Sequence, residues 1–136
     1  MQERFANNLG KAIRLADTDI TSMDQQFLEK ALSTVETNIS SQEFTVEIFG
    51  REMAMSRVQL HRKLTALTNQ SASRFIRTIR LKHAAEFLSK DGANVTETAY
   101  KFGFNNLSYF AKCFNEDYGM SPKEWVNKHN KGNKIS

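Results

Sequence analysis

Between Glu52 and Glu86 the chain carries no acidic side chain, while Arg57, Arg62, Lys63, Arg74, Arg77, Arg80 and Lys82 all fall in that gap, joined by His61 and His83. Cationic groups gathered inside a folded stretch suit a polyanion. They meet phosphate oxygens, and a guanidinium also fits the O6 and N7 acceptors of guanine. The same block also reads as a solubilising face, and charge alone does not separate the two. The 136-residue sequence has 19 Lys+Arg against 15 Asp+Glu, a net +4, but unevenly spread. Residues 1–50 hold four basic and eight acidic side chains, whereas residues 51–136 hold fifteen and seven, net charges of −4 and +8.

Other chemistries find little support. His61, His83 and His129 are scattered, with neither an H-x3-H nor an H-E-x-x-H spacing to hold a metal. Cys113 is the single cysteine, so neither an internal disulfide nor a cysteine-pair zinc site is available, and it reads as a structural thiol on a helix. Six dispersed glycines make no phosphate-cradling loop. The fragment is therefore expected not to be an enzyme, and to need no cofactor and no metal. No apolar run approaches the roughly 18 residues of a membrane span, and no signal-peptide pattern follows Met1. No membrane contact and a reducing, cytoplasmic setting are expected.

The elements that must carry the basic face are helical. Apolar residues at 40% and charged residues at 25% are globular values, and a single proline leaves few breakers. Leu28, Ala31, Leu32, Val35 and Ile39 form a stripe on one helix, with Ser22 and Gln25 as its capping box, stopping near 40–43. Thr45 caps a short helix with Val46, Phe49 and Met53. Ser56 and Gln59 open another with Leu60, Leu64 and Leu67 inward. Ser71 caps a helix running to about Ser89, with Phe75, Ile76, Ile79, Ala84, Phe87 and Leu88 as its stripe. Asp91-Gly92 breaks it. Asn94 and Glu97 open a short helix ending at Gly103, and Asn105-Asn106 opens one carrying Phe110, Phe114 and Tyr118. Ser121-Pro122-Lys123-Glu124 is a complete start for the last helix. The spacing predicts an all-α chain of about seven helices.

Two copies of one pattern lie about 50 residues apart. At an offset of 49, Val46 matches Val95, Gly50 matches Ala99, Ala54 matches Gly103, and Ser56 matches Asn105. At an offset of 50, Leu60 matches Phe110, Arg62 matches Lys112, Leu64 matches Phe114, and Phe75 matches Trp125. The one-residue change is placed near Leu107. A small residue where two helices cross, then another four residues later in the turn, is the logic of helix-turn-helix. Two such subdomains, around 45–67 and 94–118, are thus joined by a long linker helix. Phe75 and Trp125 should each be buried in their own half. With the apolar positions inward, the first copy turns out Arg57, Val58, His61, Arg62 and Thr65. The second turns out Asn106, Leu107, Ser108, Ala111, Lys112 and Asn115. No acid in the surrounding block neutralises Arg62 or Lys63.

Ser56-Arg57-Val58-Gln59-Leu60-His61-Arg62-Lys63-Leu64, Phe75-Ile76-Arg77-Thr78-Ile79-Arg80-Leu81-Lys82-His83-Ala84, and Gly103-Phe104-Asn105-Asn106-Leu107-Ser108-Tyr109-Phe110 with Gly119-Met120-Ser121-Pro122-Lys123-Glu124 resemble the DNA-binding domain of the AraC/XylS family. The resemblance covers about residues 24–130. Together with Ile20-Thr21-Ser22-Met23-Asp24-Gln25-Gln26-Phe27, it is similar to the C-terminal output domain of hybrid two-component regulators. In those proteins a periplasmic sensor, a histidine kinase and a receiver precede it in one chain.

The resemblance implies a transcription activator with two recognition helices in successive major grooves of double-stranded DNA. It implies RNA polymerase as a partner, a homodimer in the full-length protein, and a parent anchored in the inner membrane. The expected DNA-binding residues are Ser56, Arg57, Val58, His61, Arg62 and Thr65 in the first motif. In the second they are Asn106, Leu107, Ser108, Ala111 and Lys112. Ala54 stands where a glycine is common. Leu107 and Ala111 stand where polar base readers are frequent, so the second motif either reads thymine methyls or mainly positions the protein. Residues 1–22 read as a linker from a receiver, 23–131 as the DNA-binding domain and 132–136 as a tail, with Met1 an added start. The alternatives are an RNA-binding module or a protein-interaction adaptor using the acidic helix around Asp24–Glu36.

Overall fold

The computed structural model describes residues 21–134, and the side chains of residues 21–129. Seven helices and no strand occur among the described residues, as the spacing predicts. They are α1 (Ser22–Thr37), α2 (Val46–Glu52), α3 (Arg57–Thr68), α4 (Ala72–Leu88), α5 (Val95–Lys101), α6 (Leu107–Tyr118) and α7 (Pro122–Lys134). The described residues divide into two compact units, residues 21–38 with 43–79, and residues 39–42 with 80–134. Of the linker expected over residues 1–22, residues 1–20 fall outside the described residues, and Thr21 and Ser22 are the cap and first residue of α1.

In the first unit, the periodic apolar residues become the core. Leu28, Ala31 and Val35 of α1 are buried with Phe49 of α2, Leu60, Leu64 and Leu67 of α3, and Phe75, Ile76 and Ile79 of α4. The Phe49 and Phe75 rings stack with centroids 6.0 Å apart. The start of α1 differs from expectation by one residue. Thr21, not Ser22, is the cap: its hydroxyl accepts the Asp24 N–H at 3.0 Å, and the Asp24 carboxylate accepts the Thr21 N–H at 3.4 Å. A carboxylate bonds that N–H more strongly than an amide does, so the Thr-Asp pair wins over Ser22-Gln25.

The second unit packs the rest of α4 against α5, α6 and α7. Leu81, Ala84, Ala85 and Leu88 are buried with Ala99, Phe102, Phe104, Phe110, Cys113 and Phe114, and Cys113 is the buried thiol expected. Residues 39–42, which follow α1 in sequence, belong to this unit. Phe75 is buried as expected, but Trp125 is half-buried. An indole needs a partner for its N–H, and here it donates to the Ala85 carbonyl at 3.0 Å and the Ser89 hydroxyl at 3.1 Å. One side of the ring meets Phe114 and Tyr118, and His129 stacks on it with centroids 4.1 Å apart. The start of α7 holds the predicted box, Glu124 accepting the Ser121 N–H at 2.8 Å. Hydrogen bonds from the Ser121 backbone, then its side chain, hold the Glu124 carboxyl below its ordinary range. The helix continues to Lys134.

Candidate nucleic-acid interface

Each unit builds its own helix-turn-helix, and the two match closely. The first helices, α2 and α5, have seven residues each and are capped by Thr45 and Asn94, whose side chains accept the Ile48 and Glu97 N–H groups. In the turns Ala54 takes φ 57° and Gly103 takes φ 88°. Met55 donates its N–H to the Gly50 carbonyl, and Phe104 to the Ala99 carbonyl, both at 2.9 Å. The second helices, α3 and α6, have twelve residues each and end on left-handed Asn69 and Gly119, at φ 61° and 74°.

One alignment needs correction. The cap of α3 is Ser56 and the cap of α6 is Asn106, so the extra residue of the second copy is Asn105, before the cap rather than near Leu107. Ser56 therefore pairs with Asn106, and the second turn is one residue longer. The turn absorbs the insertion because capping fixes the helix start. Gly50 sits where the helices cross: a Cβ there would stand 2.9 Å from the Met55 carbonyl oxygen.

The outward residues of α3 lie where the sequence placed them. Ser56, Arg57, Val58, His61, Arg62 and Thr65 are all exposed, Val58 to 64%. On α6, Asn106, Leu107, Ser108 and Lys112 are exposed, and Leu107 keeps 38% of its surface in solvent. Ala111 is half-buried, at the border of the stripe of Phe110 and Phe114. The surrounding block offers Lys63 no acid, as expected, but one comes from outside it. Asp24 of α1 approaches the Lys63 ammonium at 3.9 Å, and that ammonium lies 4.8 Å from the centre of the Phe27 ring. An acid distant in sequence is brought in by packing of α1. Arg62, one residue away, meets no such group among the described residues.

One positioning residue lies apart from the exposed cations. Arg80 of α4 reaches the turn of the second motif: its Nη2 donates to the Ser41 carbonyl at 2.6 Å and its Nη1 to the Gly103 carbonyl at 3.4 Å. Burial holds its guanidinium below the ordinary arginine pKa. Arg80 was grouped with the polyanion-facing cations, yet it lies four residues from both Ile76 and Ala84, on the apolar stripe. That spacing was the available signal.

A family model described as a helix-turn-helix domain matches residues 49–128, more than half of the chain. The chain belongs to the AraC-type helix-turn-helix family. It is 35% identical over 129 residues to a protein of Formosa agariphila named histidine kinase P4, covering 95% of this chain and 9% of that protein. An AraC-type transcriptional regulator from Chromobacterium violaceum has the same fold, with a TM-score of 0.72 at 20% identity over 80% of this chain and 96% of the other. So does the DNA-binding domain of the global transcriptional factor AdpA, solved with a target DNA: TM-score 0.70, 22% identity, 81% of this chain and 97% of the other. This AraC-type domain spans 9% to 43% of the length of curated relatives it matches. As an AraC-type domain it binds double-stranded DNA sequence-specifically for transcription regulation. Among the described residues no helix is long and apolar enough to cross a membrane.

Proposed function

We propose that α3 and α6 are the recognition helices. Arg57, Val58, His61, Arg62 and Thr65 would face one major-groove segment, and Leu107, Ser108, Ala111 and Lys112 another. The caps Ser56 and Asn106 would lie at the phosphates beside each. The observation that carries this reading is the pair of twelve-residue capped helices whose outward faces expose cations at one repeat position, Arg62 and Lys112. Arg62 has the fork geometry for guanine O6 and N7, and Lys112 the single charge for a guanine edge or a phosphate.

The chain is, on the same reading, the output module of a larger signal-transduction protein and an activator. Its resemblance to hybrid two-component regulators and its likeness to a stretch amounting to 9% of a protein named histidine kinase P4 support this. The partners that follow are RNA polymerase and a second copy of the full-length protein, which would be held at the inner membrane with this domain in the cytoplasm. The module does no chemistry of its own. Selection of duplex sites from a random pool, followed by binding of the selected duplex and of single-stranded RNA, tests the interface. A preferred duplex bound in excess of RNA is expected. Equal binding of both, or no enrichment, would count for an RNA-binding or adaptor module instead.

A further inference from the structure

We propose that the second motif selects thymine, through its C5 methyl group, at the base pairs facing Leu107 and Ala111. The inference rests on the reading that α6 enters a major groove, and gives that groove's sequence class.

The two reading faces are chemically unlike although their frames match. At repeat positions separated by 50, Arg57 is replaced by Leu107 and His61 by Ala111, so two N–H-bearing groups give way to hydrocarbon. Leu107 is the first residue of α6, and Ala111 follows one turn later, about 6 Å along the same face. The core of α6 is made by Phe110, Cys113 and Phe114, while Leu107 still exposes 38% of its surface. Ser108 and Lys112, both exposed, flank the pair with polar groups.

Major-groove edges offer acceptors on guanine, a donor on cytosine, one of each on adenine, and an acceptor beside a methyl group on thymine. Leucine and alanine neither donate nor accept. Set against guanine, adenine or cytosine, they leave polar edges desolvated and unpaired. Against thymine they bury a methyl group. One buried methylene-sized group is worth about a fourfold change in affinity, and the adjacent Ser108 hydroxyl can take the O4 acceptor. The first motif keeps Arg57, His61 and Arg62 and has the donors for guanine.

The test uses the full 136-residue chain and the duplex it selects, with each thymine replaced singly by deoxyuridine, which keeps pairing and acceptors and lacks only the methyl group. Affinities are compared for the unaltered protein, Leu107→Ala, Ala111→Ser and Val58→Ala. At one or two thymines, deoxyuridine should weaken the unaltered protein about fourfold. That loss should fall below about twofold in Leu107→Ala or Ala111→Ser and persist in Val58→Ala. Emission from Trp125, packed on Phe114 and Tyr118 of α6, reports that the variants keep their fold. No thymine with a methyl dependence, or one removed only by Val58→Ala, overturns the proposal. Failure to select any duplex would overturn the groove reading itself, a separate result.

Discussion

A carbon added at Gly103 would stand 2.7 Å from Cζ of Arg80, so the turn of the second motif has room only for hydrogen at that place. The Ile39 carbonyl oxygen closes the other side at 2.9 Å. The same arginine bonds the Gly103 carbonyl, so the residue that fills the space also holds the turn. Gly103→Ala should cost roughly 2–4 kcal/mol, combining left-handed strain with overpacking. Gly119→Ala has the same hand of backbone but nothing within 4 Å of an added carbon, and should cost only about 1–2 kcal/mol. Urea unfolding followed by Trp125 emission measures both; equal losses would show that the Arg80 contact is irrelevant.

Arg80→Lys keeps the charge and loses the fork that spans two carbonyls. A loss of about 1–3 kcal/mol from the second unit is expected. Affinity for DNA should drop with base preferences intact, because Arg80 positions the turn rather than facing a base. A changed preference at one base pair would make Arg80 a reader.

In the first motif the turn residue is Ala54 at φ 57°, a backbone that costs an alanine about 1–2 kcal/mol. Ala54→Gly should therefore stabilise that unit by up to about 1 kcal/mol after the added chain entropy. Gly50→Ala should do the reverse, by about 1–3 kcal/mol, since a Cβ there meets backbone that cannot swing away. Hydrogen exchange of the α2 and α3 amides resolves both signs within the first unit.

Much of this fold was legible because local signals agreed with the global one. Thr45, Ser56, Asn94 and Ser121 each cap the helix that their side chains and the following apolar residues announce. What was not legible came from contacts between residues far apart in sequence. Asp24 reaching Lys63 across 39 positions, or Ser41 meeting Arg80, leaves no periodic trace. The half-burial of Trp125 is similar, since spacing marks the inward side but not how much of a large ring the neighbours cover. Asn105 was misaligned because two adjacent asparagines can each cap a helix, and only the geometry chooses.

Tyr118 supplies a pH signature. Burial first, then the charges of Asp117 and Glu86, raise its pKa from 10.0 to about 12. A raised value means that the folded state prefers the neutral phenol, so its contribution is complete below pH 10 and is lost as pH climbs toward 12. The second unit should weaken across that alkaline window. Tyr118→Phe, which keeps the ring stacked on Phe114, should remove this dependence. Identical alkaline unfolding in both proteins would contradict it.

The central claim, that α3 and α6 each read bases, is tested most directly by one measurement. The affinity of the unaltered chain, Arg62→Ala, Lys63→Ala and Lys112→Ala is determined for the selected duplex and every single base-pair change, at two salt concentrations. Arg62→Ala should lose about 1–3 kcal/mol on the selected site and relax one base pair. Lys112→Ala should relax a different base pair, or weaken all duplexes with a shallower salt slope if it meets phosphate. Lys63→Ala, whose ammonium is already engaged by Asp24 and Phe27, should change neither preference nor slope. Uniform losses for Arg62→Ala across every sequence, with no position relaxed, would contradict base reading by α3 through that residue.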